Sequence, residues 1–534
     1  MSRPSARFTR RSGRTALTAT LLALALAGAA CSDDDDAEPS TGPASTGPAS
    51  TAPASTGPDT TPVATDRPGG GDRVVNVGAV LEPTSLDITT AAGAAQDQVL
   101  LDNVYETLLT AGPQSEIQPG LAAVPDVSDD ALVYTFTLQD GVTFHDGSDL
   151  TAADVVWSLD AFRAEGGTGA VDLASVASVE ATDDLTVVLT LSQPDNDLLF
   201  NLTRRSGAVL AEDASGLENG AVGTGPFVFE EWNRGLSITL SRYDEYWGGP
   251  VAVGGATFTY YTDPNAAVTA LTTGDVDILT GINTDLVGPL QDDPDFVVSQ
   301  GTTNGEFTLG FNNSRKPLDQ VEVRTAIRRA IDKQGLLELY NGYGTIIGSP
   351  VPPQDPWYED LTGIAPYDPD AAAAALDAAG YGEGLELELS YPDIYPTNAA
   401  EYIRSELEEV GITVDIVSIP FETWLSQVFT NADYDMTVVL HVEPRDIANY
   451  ANPDYYWRYD NPEVQQLIGD AKVAPTAEEA TDLLKQATEQ IAEDSPVDWL
   501  LLYADLTVAT PDVTGYPTND TASRFDLSGV SFTE

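Results

Sequence analysis

The chain has 534 residues, of which 84 are acidic and 24 basic, for a formal net charge of −60. A field of that sign and size repels phosphate backbones and excludes nucleic acid as a partner. The single cysteine, Cys31, excludes an internal disulfide and any multi-cysteine metal site.

At the start, Arg3, Arg7, Arg10, Arg11 and Arg14 precede an apolar run over residues 16–30. A basic head, a short apolar body and small residues before a cut site mark an export signal. As a helix the run reaches about 22 Å, short of the roughly 30 Å of a bilayer core. Gly28-Ala29-Ala30-Cys31 resembles a bacterial lipobox. Residues 1–31 are therefore read as a lipoprotein signal peptide, with Cys31 lipidated and the mature protein held at the membrane by its acyl chains. Residues 32–71 are Asp-rich and then rich in Ser, Thr, Gly and Pro, with a five-residue repeat beginning at Ser40, Ser45, Ser50 and Ser55. This stretch has little to bury and is expected to be a disordered tether, with an end-to-end distance of about 35 Å. Its aspartates at 33–36 read as a solvated, self-repelling run rather than a metal site.

Beyond residue 72, short strands take turns with amphipathic helices. Residues 74–80 read as a strand, and Tyr134, Phe136 and Leu138 alternate with threonines at the period of a half-buried strand. Thr151 with Asp154 three places on forms a capping box before a helix whose apolar face holds Val155, Leu159 and Phe162. Strands are expected at 187–191, 227–231 and 257–261. A helix over 264–271 ends near Gly274, with strands following at 276–279 and 307–311. Val323, Ile327 and Ile331 stripe the next helix. A strand at 385–391, a helix through Ile403, Leu407 and Val410, and strands at 412–417 and 436–440 complete the pattern. Such alternation argues for α/β architecture.

Several strings stand in one fixed order. Pro83-Thr84-Ser85-Leu86-Asp87 precedes Asn103-Val104-Tyr105-Glu106-Thr107-Leu108-Leu109, and Gly141-Val142-Thr143-Phe144-His145-Asp146-Gly147 leads into the helix at Thr151. Gly223-Thr224-Gly225-Pro226-Phe227, Tyr246-Trp247-Gly248-Gly249, Val323-Arg324-Thr325-Ala326-Ile327 and Tyr367-Asp368-Pro369 follow. Their order and spacing resemble the peptide, opine and nickel solute-binding proteins of ABC importers, family 5. The resemblance implies a bilobal, class II periplasmic-binding-protein-like α/β fold with two hinge crossings, near 303–311 and 499–508. By analogy the larger lobe takes residues 72–302 and 500–534, and the second lobe 303–499. It also implies an extracytoplasmic, monomeric binding protein without cofactor, whose partners are a small solute and the subunits of an ABC permease. A peptide is the expected solute, ahead of opines, sugars and nickel chelates.

In peptide-binding members an acidic side chain after a second-lobe strand pairs with the ligand's α-amino group. The matching stretch is Leu440-His441-Val442-Glu443-Pro444-Arg445-Asp446-Ile447, without the tryptophan usual there and with the aspartates out of register. Glu443 and Asp446 are the candidate carboxylates for an ammonium, and Arg445 a candidate grip for a ligand carboxylate. His441 is a further candidate, although a lone histidine does not specify a metal. Trp424 stands as a cleft wall or a core residue, and Thr224 and Gly225 as ligand contacts at the chain's re-entry into the larger lobe. The competing readings are a secreted, glycosidase-like hydrolase using two carboxylates, or a ligand sensor without an importer. No phosphate-binding loop, zinc-protease motif or nucleophile elbow is present in the sequence.

Overall fold

In the computed structural model of the chain, residues 70–79, 81–91, 93–112, 115–395, 397–519 and 523–533 are described. The expected signal, Cys31 and the tether up to residue 69 lie outside the described residues, as does Val80.

One mixed sheet runs through the molecule. Its strands are β1 (Val74–Ala79), β2 (Phe227–Asn233), β3 (Ser237–Arg242), β4 (Gly255–Tyr260), β5 (Ile278–Leu279), β6 (Val297–Phe311), β7 (Leu385–Pro392), β8 (Ile412–Ile419), β9 (Met436–His441) and β10 (Val497–Ala509). Across the sheet they lie in the order β8-β7-β9-β6-β10-β5-β1-β4-β3-β2. The long strands β6 and β10 pair antiparallel with each other. Near its start the ribbon meets β5 through Ala509, and near its end β6 pairs with β9 from Glu306 to Phe311. The same two strands therefore serve both lobes, the two crossings the resemblance implies. Their register slips between Thr302 and Glu306, a bulge that bends the ribbon where it passes between the lobes.

Each lobe has its own apolar centre. Val75, Leu108, Phe136, Leu159 and Phe258 pack in the first, joined by Leu527 and Val530 from the end of the chain. Phe307, Ile327, Leu389, Ile403, Met436 and Leu501 pack in the second. A separate antiparallel sheet of Asp126–Val127, Val133–Thr137, Val176–Asp183 and Thr186–Leu191 completes the larger lobe.

Local chemistry accounts for the elements. Helix α1 (Ala152–Arg163) starts where Asp154 accepts both the Thr151 backbone N–H and its hydroxyl, each at 2.8 Å, which is the expected box. Val155, Leu159 and Phe162 enter the core from its inner face. The helix expected over 264–271 runs Pro264–Thr273 and stops at Gly274, which takes a left-handed φ of 79° that glycine adopts freely. Two expectations were too coarse. The strand at 276–279 shrinks to Ile278–Leu279, because the Asp277 carboxylate takes the Asn76 backbone N–H (2.9 Å) and pairs with Arg73 (3.1 Å). The strand at 307–311 is only the tail of β6, whose earlier residues Ser299, Gln300, Thr302 and Asn304 carry no apolar pattern.

Candidate functional site

A cavity of about 460 Å³ lies between the lobes. Glu106, Arg204 and Asp526 line it from the larger lobe, Asp355 and Pro444 from the second, and Asn304 of β6 where the ribbon passes. A neighbouring space of about 590 Å³ shares Phe200 with it and is walled by Tyr134, Trp357, Ile447 and Leu484.

β9 ends at His441, whose ring lies parallel to that of Tyr456 and 5.2 Å from Trp457. Its Nε2 shares a 2.8 Å hydrogen bond with the Tyr456 hydroxyl, and burial pushes its pKa down to about 4, which keeps the ring neutral. Its Nδ1 stands 3.6 Å from Asp446, too far for a hydrogen bond. Among the described residues no three His, Cys, Asp or Glu side chains are grouped to hold a metal ion.

After β9 the backbone turns at Arg445 with a left-handed φ of 54°. Its guanidinium crosses to the larger lobe, 3.2 Å from Asp197 and 3.7 Å over the Phe200 ring. Expected to grip a ligand carboxylate, it is instead committed to joining the lobes. Next to Asp197, the Asn196 side-chain amide donates to the carbonyls of Ala471 (2.8 Å) and Ala474 (2.9 Å), a second link between the lobes.

The turn also sets Glu443 and Asp446 beside two carboxylates that the sequence reading missed. Glu306 faces His441 in the β6–β9 ladder and is 3% exposed, and Asp355 is 6% exposed. Gln354 pins the loop bearing Asp355 to β6, donating to the Thr303 carbonyl (2.9 Å) and the Asn304 side chain (2.8 Å). Burial raises all four carboxyl groups. Repulsion from Glu443 and Asp355 adds to the rise at Asp446, and repulsion from Asp446 and Asp355 to the rise at Glu306. Asp355 is pushed up to about 7, with Arg445 as the opposing influence. Oε1 of Glu306 and Oδ2 of Asp355 are buried without a hydrogen-bond partner. A set of buried carboxylates that repel one another is suited to receive a cation, because an ammonium relieves the repulsion and supplies donors at once.

On the opposite wall, Glu106 accepts from the Tyr246 hydroxyl (2.7 Å), the Trp247 indole (2.8 Å) and the Thr224 hydroxyl (2.7 Å). Burial still pushes it up to about 7. Thr224 is fully buried, with its hydroxyl turned to Glu106. Gly225 lies against the Asn103 carbonyl, where a Cβ would come within 2.5 Å. Neither lines the cavity; the members of that network that do are Glu106 and Tyr246. Trp424 packs inside the second lobe rather than walling the cleft. It stacks on Phe421 and donates its indole N–H to Thr437 at 2.8 Å. Nearby, Arg524 holds Asp102 through two bonds of 3.0 and 2.9 Å.

The missed carboxylates carried faint signals. Glu306 stands immediately before the apolar run 307–311, a charge entering a strand that is otherwise buried. Asp355 lies between Pro353 and Pro356, with Trp357 beyond. Glu106 sits inside one of the strings that carry the resemblance, as its single charged residue.

The model of bacterial extracellular solute-binding proteins, family 5 Middle, matches residues 116–464. Heme-binding protein A of Haemophilus influenzae is 26% identical over 453 residues, covering 75% of this chain and 82% of the relative. Di/tripeptide-binding protein 1 of Pseudomonas aeruginosa is 26% identical over 430 residues, covering 72% and 80%. In structure, HbpA2 of Haemophilus parasuis superposes with a TM-score of 0.78 at 22% identity, over 86% of this chain and 100% of that one. With the shared fold, the interlobe cleft and a match over more than half of its length, the chain belongs to the bacterial extracellular solute-binding proteins of family 5.

Proposed function

We propose that this protein is the receptor of an ABC importer, capturing a short peptide between its lobes and passing it to the permease without performing chemistry on it. One observation carries the reading: a group of buried, mutually repelling carboxyl side chains lies beside the cavity between two lobes on a shared two-strand ribbon, and one of them, Asp355, lines it. Asp446 and Glu443 hold the peptide's α-ammonium, and the positive charge of Arg204 on the facing wall suits its carboxylate end. A relative known as a di/tripeptide-binding protein supports the same class of ligand. The lobes, 72–302 with 500–534 and 303–499, swing about the bulge in β6 and its neighbour β10. A ligand that touches both lobes shifts the population toward the closed form, and a ligand that touches one does not.

The test is calorimetric titration of the purified chain, freed of bound solute, with a set of di- to tetrapeptides, followed by X-ray scattering. Saturable binding accompanied by a smaller radius of gyration is expected. Scattering that never changes, or hydrolysis of the peptides, would overturn the reading.

Anchoring by lipid at Cys31 completes the proposal. Cys31→Ala is expected to release the protein from the membrane into the medium, read by fractionation and immunoblot; a mutant that stays with the membrane would remove the anchor from the account.

A further inference from the structure

The peptide reading accounts for one cation in the cleft, whereas more carboxyl groups gather there than one ammonium can engage. Glu306, Asp355, Glu443 and Asp446 come from three separate segments, namely β6, the loop 352–357 and the turn after β9. Arg445 acts on Asp355 but is itself paired with Asp197. His441 is neutral and bonded to Tyr456. An ammonium has three donors and a single charge. Placed at Asp446 and Glu443, it leaves Glu306 and Asp355, the second of which acts on the first through repulsion, without a cationic donor. These two are the residues with an oxygen that is buried and has no hydrogen-bond partner, a condition that costs free energy until something donates to it. Asp355 lines the cavity, and Gln354 fixes its loop to β6 at Thr303 and Asn304, next to Glu306.

We infer that Glu306 and Asp355 form a second cation subsite, so that the preferred ligand carries two amino groups, the α-ammonium and the side-chain ammonium of a first residue of the lysine or ornithine type. This rests on the peptide reading for its first subsite. Both nitrogens reach carboxylates on the second lobe, and closure against the wall bearing Glu106 removes water from them. Desolvated charge pairs of this kind discriminate strongly, because a ligand lacking the second cation leaves the carboxylates unpaired. The alternative is that Glu306 and Asp355 stay protonated and merely pack, in which case a basic first residue brings no gain.

The experiment titrates the full chain, stripped of bound solute, with Lys-Ala, Ala-Ala and the diamine cadaverine. Lys-Ala is expected to bind at least tenfold tighter than Ala-Ala, and the ratio to fall below threefold in Glu306→Gln and in Asp355→Asn. Thermal melts of both variants serve as the folding control. If the two dipeptides bind equally, or Ala-Ala binds better, the second subsite is refuted while the peptide reading survives. Binding of cadaverine with neither dipeptide bound would refute the peptide reading and keep the paired-cation site. If none of the three binds, both fall.

Discussion

Changing Glu443→Gln together with Asp446→Asn is expected to weaken short-peptide binding by about a hundredfold near neutral pH, since a hydrogen bond to a charged group contributes about 1.5–3 kcal/mol and each 1.4 kcal/mol is tenfold. The two losses should not simply add, because Glu443 raises Asp446 through direct repulsion and each change therefore alters the other's charge state. The amides keep the volume of the acids and open no cavity in the turn after β9. Their effect on the empty protein is opposite in sign to their effect on binding. Removing carboxylates that repel one another relieves the apo state, so its thermal midpoint should hold or rise while affinity falls. That combination separates a binding role from a folding defect, which lowers both. A double variant that binds peptides like the parent protein would remove these two residues from the site.

Much of the scaffold was legible because it depends on short-range chemistry. The box at Thr151 and Asp154, the stop at Gly274 and the apolar faces of the helices follow from neighbours a few residues apart. β6 was half hidden for the opposite reason. Its polar half crosses between the lobes, where no continuous core imposes an apolar pattern, and only its burial beside β9 left a hydrophobic signature. The site divides in the same way. Glu443 and Asp446 lie on one turn and were found through the resemblance, together with the intervening Arg445. The cation's partner, Asp197, lies 248 residues away, and no local pattern marks that distance. Glu306 and Asp355 meet Asp446 only after three segments converge, so their chemistry belongs to the fold and not to any string. Thr224 and Gly225 illustrate the converse. Their motif is real, but it works by supporting Glu106 and allowing a close backbone approach.

The same cluster is expected to give the empty protein an unusual pH profile, with stability falling as pH rises from about 6.5 to 8. A carboxyl group whose pKa is raised by folding keeps its proton in the native state after the unfolded chain has released it, so each rise in pH across that window favours unfolding. Asp355, at about 7 against an ordinary 3.8, titrates inside the window and contributes about 1 kcal/mol there. Asp446, Glu306 and Glu106 act with the same sign. Below about 6.5 the buried His441 works against them. Its pKa is depressed to about 4, so its burial grows less costly as pH climbs toward the ordinary histidine value of 6.5, and the profile there is a contest. Above that point the histidine is neutral in both states and the carboxyl groups act alone. Repulsion among the many surface carboxylates does not imitate the effect, because those groups are already ionised and salt screens them. Thermal melts at high salt should therefore retain the decline, and Asp355→Asn should make it shallower. A cationic ligand draws the cluster into its ionised form and should flatten or invert the slope, with protons released on binding and detectable by calorimetry in buffers of different ionisation enthalpy. A midpoint that stays level or rises between pH 6.5 and 8 in the empty protein would mean that the cluster is ionised without help, and that something other than a ligand compensates it.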